Sequence, residues 1–164
     1  MPIPEFIVEL RRHVGPLPLW LPGVTAVVVR DGQLLMVKRA DNGAWTPVTG
    51  ILEPGEDPAD GAVREVLEET GVHAVPRRLA WVHATRPVVH ANGDRAQYLD
   101  HTFRMDWVAG EPFAADDESV DAGWFALDAL PQRTPDMQRR VALATDENLD
   151  AAAVFEVGAV PSAD

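Results

Sequence analysis

Three glutamates, Glu65, Glu68 and Glu69, are spaced at helical intervals within the segment VREVLEET. Residues three and four positions apart are neighbours on a helix surface, so a helix here would bring the three carboxylates together. Like charges at that spacing repel one another and weaken an isolated helix. Because a divalent cation would offset the repulsion, the pattern predicts a cation site rather than an ordinary solvated helix face.

The ligand type indicates which cation to expect. Carboxylate and carbonyl oxygens are hard donors that suit Mg2+, with Mn2+ as a possible substitute. The chain has no cysteine, and its five histidines show no ligand spacing, so zinc is not favoured. Mg2+ usually keeps several waters and binds through a few carboxylates plus substrate phosphates. We therefore expect a polyphosphate substrate.

The segment around the glutamates carries the signals of a capped helix. Asp57 suits the N-cap, Pro58 the first helical position and Gly71 a left-handed C-terminal cap, which predicts a helix from about Pro58 to Thr70. We expect the glutamates on a side roughly opposite to an apolar stripe. The residues of that stripe are Ala59, Ala62, Val63, Val66, Leu67 and Thr70.

Charged residues near the glutamates are expected to support them. Arg64 can pair with Glu68 one turn along the helix or with Asp60 one turn back, and either pair would fix carboxylate rotamers. Glu56, in the preceding loop, is a further supporting or ligating group. The predicted site therefore includes its own positioning residues.

The stretch from Gly50 to Val72 fits the pattern G-x5-E-x7-R-E-U-x-E-E-x-G-U, where U is an aliphatic residue. A chance match to the fixed residues has a probability on the order of 10^-8 at a given start. The fixed residues are Gly50, Glu56, Arg64, Glu65, Glu68, Glu69 and Gly71. The stretch resembles the Nudix box of the Nudix hydrolase family.

The resemblance implies an α/β fold, an α/β/α sandwich around a mixed β-sheet, and Mg2+-dependent hydrolysis of a nucleoside diphosphate linked to another group. Glu65 and Glu69 would be direct metal ligands, Glu68 a ligand directly or through water, and the Gly50 carbonyl another. Water would attack a diphosphate phosphorus in line, with no covalent protein intermediate. Glu65 is one candidate for activating that water. Glu118, outside the box, is the second.

Substrate contacts are expected outside the box. Arg39 and Arg86 could clamp phosphate, although a lone strand arginine is more often solvated or ion-paired. Trp45 could stack on a base or be a partly buried loop aromatic. Tyr98 and Asp100 are expected on the polar side of their strand, where either could reach substrate.

The remaining elements follow from periodicity and turn signals. The histidines are expected to be structural or surface residues, Trp124 and Phe125 to lie in the core, and the acidic run 116–118 to form a solvated loop apart from Glu118. The predicted elements are a helix over 4–14, a hairpin of 24–30 and 33–39, a loop over 40–50, strands 79–89 and 97–108 across Asn92-Gly93, a strand 124–127 and a helix 135–144.

Length and composition predict one domain over residues 1–164, with an N-terminal helix and lead-in at 1–22 and a loosely held segment at 146–164. The formal net charge of −12 argues against a nucleic-acid partner and an anionic membrane surface. No apolar run suits a membrane span or a secretory signal, so we expect a cytoplasmic protein. The apolar N-terminal helix and the family resemblance favour a homodimer.

The sequence is compatible with two substrate classes and with a non-catalytic role. Pro87, fifteen residues past Val72, lies close to a proline position of ADP-ribose-cleaving Nudix enzymes and favours an ADP-ribose-like substrate. A (d)NTP is the other main possibility, and the competing enzyme is a nucleoside triphosphate pyrophosphohydrolase that clears oxidised nucleotides. A non-catalytic nucleotide-sensing module is a third hypothesis, which the complete box disfavours.

Overall fold

The computed structural model describes residues 4–90 and 92–156. Its centre is a mixed sheet, in which β1 runs parallel to β7 and the other strand pairs are antiparallel. The main strand order is β3-β2-β1-β7-β5, with β4 on β1, β6 on β7 and β8 on β2. The elements are α1 (Glu5–Val14), β1 (Leu19–Arg30), β2 (Gln33–Arg39), β3 (Trp45–Thr46), β4 (Val48–Ile51), α2 (Pro58–Thr70), β5 (His73–Ala84), β6 (Val88–Val89), β7 (Arg95–Ala109), β8 (Ser119–Ala126) and α3 (Pro135–Ala144).

Helices cover both faces of this sheet. Val24, Ala26 and Val28 of β1 pack in one core cluster with α2, whereas Val27, one residue out of phase, packs in a second cluster with α3. This alternation is the period-two pattern of a strand buried on both sides. A third cluster seats α1 on the start of β1 through Ile7. The predicted α/β/α sandwich around a mixed sheet is confirmed.

Helix-capping and turn residues in the sequence predicted several elements correctly. The predicted helices over 58–70 and 135–144 have the observed bounds of α2 and α3, and Gly71 ends α2 in the left-handed conformation at φ 67°. Asp57 occupies the N-cap position of α2, but its side chain makes no capping hydrogen bond. The β1–β2 hairpin turns through Asp31 and Gly32, both at positive φ, as the Asp-Gly pair predicts.

Several strand boundaries were predicted wrongly. The stretch 40–50, expected to be a loop, contains β3 and most of β4. These short strands pair with β2 and β1, respectively. The predicted strand 79–89 divides into β5 and β6 around a break at 85–87. β1, β5, β7 and β8 begin earlier than predicted because main-chain pairing continues through residues without an alternating apolar pattern, whereas β2 has the predicted bounds.

The end of the described chain is tied to the sheet. Val154 of the segment predicted to be loosely held pairs with Trp81 of β5, and its N–H donates to the Ala80 carbonyl at 2.8 Å. Residues 157–164, the rest of that segment, lie outside the described residues. Within the ranges that the structure describes, no helix is both long enough and apolar enough to cross a bilayer.

Candidate active site

Two of the three glutamates of α2 face the protein rather than solvent. Glu65 and Glu69 are each only 4% exposed, while Leu67, predicted in the apolar stripe, is 42% exposed. Ala62 and Val66 do pack in the core, as predicted. The prediction of Leu67 in the buried apolar stripe is therefore wrong, and two of the three glutamates on the other side are buried.

Gly50 of β4 explains how Glu65 is accommodated. Gly50 pairs with Val24 of β1, which fixes its backbone in the sheet beside α2. A Cβ atom at Gly50 would overlap the Glu65 carboxylate, so any side chain at this position would displace Glu65. The glycine of the motif therefore brings a main-chain segment directly against a buried carboxylate.

Arg64 ties the motif glutamates together. Its Nε donates to Glu56 Oε1 at 2.7 Å, and its Nη1 donates to Glu65 Oε1 at 2.9 Å and to Glu68 Oε2 at 3.1 Å. Its Nη2 donates to the Ile51 carbonyl at 3.2 Å. These contacts raise the pKa of Arg64 and lower that of Glu56. Arg64 thus pairs with Glu68, as predicted, and links α2 to β4.

The buried carboxylates are poorly compensated for their charge. Burial raises the pKa of Glu65 to about 7, against the opposing effect of Arg64, and the charges of Glu68 and Glu118 add to the rise. Burial also raises the pKa of Glu69 to about 8, with contributions from the charges of Glu65 and Glu118. Both groups therefore resist ionisation while no cation is present.

The loop before β8 brings a further carboxylate to this place. The Ala40 N–H donates to the Glu118 carbonyl at 2.8 Å, and the Ala115 N–H donates to the Glu69 carbonyl at 3.0 Å. The loop is thereby held between the end of β2 and α2. The Glu118 charge raises the pKa of both Glu65 and Glu69.

The donor set fits a hard divalent cation, although its side chains are not gathered around one point. Glu65 and Glu69 are buried without full charge compensation, and Gly50 lies against Glu65. In the described part of the chain, no three acidic, histidine or cysteine side chains converge as a ready metal cluster. Arg64 accounts for part of this, because it draws Glu65 and Glu68 to its guanidinium. Carboxylate and carbonyl oxygens are nevertheless the donors that a hard divalent cation takes.

Arg39 lies at the same end of the sheet. Its Nε and Nη2 donate to the two carboxylate oxygens of Asp41 at 2.9 and 2.8 Å, and these bonds raise the pKa of Arg39. Its charge also acts on Glu118 and Glu69, so it is near the acidic site. Arg39 is therefore ion-paired in the structure, which the sequence analysis gave as the alternative to a phosphate contact.

Tyr98 borders the site from β7. Its ring would lie 3.3 Å from a Cβ atom at Gly23, and the Gly50 carbonyl oxygen would lie 3.5 Å from that same atom. The hydroxyl is 2.9 Å from Nε2 of His90, and burial raises the pKa of Tyr98. Tyr98 is therefore half-buried beside Gly23, with its hydroxyl already paired.

The other proposed substrate residues lie in different surroundings. Trp45 packs edge-on against Phe125, with ring centroids 4.7 Å apart, in the core cluster of α3. Arg86 is exposed in the break between β5 and β6. Asp100, predicted to be able to reach substrate, is instead buried in an ion pair with Arg140 at 2.8 Å. That prediction is wrong, because the Asp100 side chain is buried against α3 and not beside the glutamates of α2.

Comparison with known proteins decides the family. The family model described as NUDIX domain matches residues 20–145, which include the motif, both long parallel strands and α3. The chain belongs to the Nudix family. The structure of a Nudix hydrolase from Nitrosomonas europaea is similar, with a TM-score of 0.59 and 30% identity, covering 77% of this chain and 87% of that one.

Two Nudix relatives align along most of both chains. A putative 8-oxo-dGTP diphosphatase of Bacillus subtilis is 30% identical over 125 residues, which cover 75% of this chain and 78% of the relative. The ADP-ribose pyrophosphatase of Methanocaldococcus jannaschii is 29% identical, and the alignment covers 71% of this chain and 68% of that protein.

Other Nudix relatives are matched over a smaller part of their length. A MutT-like protein of Streptomyces ambofaciens is 47% identical over 75 residues, which cover 44% of this chain and 49% of the relative. NAD-capped RNA hydrolases of two Pseudomonas species are spanned over only 38% to 39% of their length. The chain therefore spans less than half of these relatives.

One residue of this Nudix site was missed in the sequence. Ser119, at the start of β8, is 5% exposed and its hydroxyl donates to Glu69 Oε2 at 3.4 Å. A serine directly after an acidic run has no distinguishing pattern in the sequence. Only the pairing of β8 with β2 places it against α2.

Proposed function

We propose that this protein is a Mg2+-dependent hydrolase of a nucleoside diphosphate linked to another group. The observation that carries the proposal is the pair Glu65 and Glu69, which are buried beside the Gly50 main chain with pKa values raised to about 7 and about 8. Burying carboxylates without compensation is costly unless a cation completes the site. An anionic diphosphate would then bind through that cation despite the acidic chain.

Each residue of the motif has a separate task in this proposal. Glu65, Glu69 and the Gly50 carbonyl hold the cation, and Glu68 joins them directly or through water. When bound, the cation polarises the phosphoryl oxygens and lowers the pKa of the attacking water. Arg64 orients Glu65 and Glu68 through the hydrogen bonds that it donates to both.

Glu118 is our candidate for the general base, with Glu65 as the alternative. Glu118 lies in the loop that wraps the end of α2, and its charge acts on both buried glutamates. If it accepts the proton, Glu118→Gln lowers kcat while the affinity for Mg2+ changes little. If Glu65 is the base, Glu65→Gln lowers both, because the same carboxylate also holds the cation.

The substrate contacts proposed from the sequence are Arg39 and Arg86 for phosphate, Trp45 for a base, and Tyr98 for a part of the substrate that the sequence does not specify. Arg39 and Tyr98 have the stronger support, since both are near Glu118. Trp45 would need to exchange its contact with Phe125 for a base. Arg86 is exposed and has the reach of a long side chain.

Two substrate classes follow from the relatives. An ADP-ribose-like substrate is supported by Pro87 and by the Methanocaldococcus relative named ADP-ribose pyrophosphatase. A (d)NTP, with release of pyrophosphate as in a pyrophosphohydrolase that clears oxidised nucleotides, is supported by the Bacillus relative named putative 8-oxo-dGTP diphosphatase. The proposal also includes a cytoplasmic location, no nucleic-acid partner and a homodimer that uses α1.

A Mg2+-dependent product screen tests the proposal. The panel is dNTPs, oxidised dNTPs, ADP-ribose, NADH, dinucleoside polyphosphates and nucleotide sugars, with products separated by chromatography. AMP plus ribose 5-phosphate identifies the first class, and a nucleoside monophosphate plus pyrophosphate identifies the second. Tight nucleotide binding without turnover on any compound would contradict the enzyme and favour a nucleotide-sensing module.

A further inference from the structure

The pairing of β8 with β2 contains an irregularity beside the active site. Lys38 pairs with Asp121 and Arg39 pairs with Ser119, so Val120 is an extra residue with no partner on β2. An extra residue shifts the alternation of side chains along the strand, so residues beyond it point to the opposite face of the sheet. Such bulges often redirect a side chain next to an active site.

Burial on either side of the irregularity shows its effect. Val120 is 60% exposed, although it is the apolar residue, while Ser119 is only 5% exposed. Ala122, two residues further along β8, packs against the core on the α2 side. Regular alternation would have put Val120 on that side and turned Ser119 away from it. The bulge therefore exchanges an apolar side chain for a hydroxyl next to α2.

The hydroxyl of Ser119 meets the buried carboxylate of Glu69. It donates to Glu69 Oε2 at 3.4 Å. Glu65 differs, because Arg64 Nη1 donates to it and the Gly50 backbone packs against it. The Ser119 hydroxyl is therefore positioned to orient the Glu69 carboxylate.

We propose that Ser119 is a positioning residue, held inward by the Val120 bulge, that fixes the Glu69 carboxylate for binding the cation. The inference rests on the proposed function, since it assigns Glu69 to cation binding. A hydrogen bond to a ligating carboxylate orients it, and loss of such a partner typically costs about 10- to 100-fold in metal affinity or activity. At 3.4 Å the bond is long and its donor is neutral, so we expect an effect at the lower end of that range.

Mn2+ binding to the nucleotide-free protein tests the role directly. We expect Ser119→Ala to weaken Mn2+ affinity by about tenfold, measured by calorimetry or by electron paramagnetic resonance. The expected kinetic signature is a lower kcat at subsaturating metal with an unchanged KM for the nucleotide. Ser119→Thr keeps the hydroxyl and is expected to bind Mn2+ within about threefold of the wild type.

Thr145→Val is the matched control. The Thr145 hydroxyl donates to the Val141 carbonyl at 2.8 Å, so its removal also deletes a hydroxyl hydrogen bond, but beside α3. We expect this variant to lower the melting temperature and to leave Mn2+ affinity unchanged. Unchanged Mn2+ affinity in Ser119→Ala would overturn the positioning role, as would equal weakening in both alanine and threonine variants.

Glu69→Gln, measured in the same series, separates this inference from the proposed function. If Glu69→Gln loses Mn2+ affinity and Ser119→Ala does not, the cation site stands and the role of Ser119 is wrong. If Glu69→Gln binds Mn2+ as tightly as the wild type, the assignment of Glu69 to the cation fails, and the role of Ser119 fails with it.

Discussion

The two faces of the central sheet bury carboxylates in opposite ways. On the α3 face, Asp100 is 3% exposed and accepts hydrogen bonds from Arg140 and Thr25 on Oδ1 and from Thr102 on Oδ2, at 2.7 to 2.8 Å. On the α2 face, Glu65 and Glu69 are equally buried, yet burial raises their pKa values to about 7 and about 8.

The difference separates a structural charge from a functional one. Arg140 compensates Asp100 and also bonds Asp136 one turn back, so this cluster fastens α3 to β1 and β7. Glu69 instead accepts a hydrogen bond from the neutral hydroxyl of Ser119, and burial with the charges of Glu65 and Glu118 raises its pKa. A buried ion pair is already neutralised by its partner. The carboxylates of α2 would instead be stabilised by binding a cation from solution. Four predictions test this division.

The largest effect is expected from Glu69→Gln, which keeps the shape of the side chain and removes its charge. We expect kcat to fall by at least about 100-fold, because the cation loses a ligand. The metal-free variant should melt at the same or a higher temperature, since glutamine cannot ionise at this buried position. Steady-state kinetics and thermal unfolding measure both, and a fully active variant would contradict the metal assignment.

On the other face, Arg140→Met should act on stability. Removing one partner of a buried ion pair typically costs about 3–5 kcal/mol. For a domain of this size, that corresponds to a fall in melting temperature of roughly 6–20 °C. Mn2+ affinity below the transition should stay within about twofold of the wild type, because α2 is not involved. A loss of affinity without a loss of stability would reverse the roles of the two faces.

The pH dependence of stability should reveal the α2 carboxylates. Their folded-state pKa values of about 7 and about 8 lie above the ordinary value of 4.5, so the folded metal-free protein binds more protons than the unfolded chain between these limits. Stability in EDTA should therefore fall as the pH rises through that window. The stabilisation by Mg2+ should grow over the same range, because protons compete with the cation. Differential scanning calorimetry at several pH values measures both trends.

The smallest effect is expected from His83 on the α3 face, and it has the opposite sign. Its Nε2 is 3.3 Å from Asp136, while burial and the charge of Arg140 lower its pKa below 6.5. Acidification below pH 6.5 therefore favours the unfolded chain, which takes up the proton more readily. His83→Gln should flatten the stability profile below pH 6.5, and an unchanged slope would exclude His83 as its source.

Sequence patterns were most informative where structure is local. Pro58 begins α2 and Gly71 caps its C-terminal end, and the bounds of α2 were predicted correctly. The burial of Glu65 depends on contact with Gly50 of another strand, which helical periodicity does not contain. The start of β1 was missed because Pro22 and Gly23 interrupt the strand pattern, while pairing with β7 continues through both.

Contacts between residues far apart in the sequence could not be predicted either, because local patterns do not contain them. Asp100 was read from strand alternation as a possible substrate contact, but its partner Arg140 lies forty residues further along the chain. Ser119 faces Glu69 only because of the bulge at Val120, which is a property of strand register. The motif residues could thus be found from sequence, whereas their burial and compensation required the fold.

A cation titration of two matched variants tests the central claim most directly. Glu69→Gln and Asp100→Asn each turn one buried carboxylate into an amide, on opposite faces of the same sheet. Calorimetric titration with Mn2+ should show at least about tenfold weaker binding for Glu69→Gln. Asp100→Asn should bind Mn2+ like the wild type but unfold at a lower temperature. Equal Mn2+ affinity in the two variants would contradict the account.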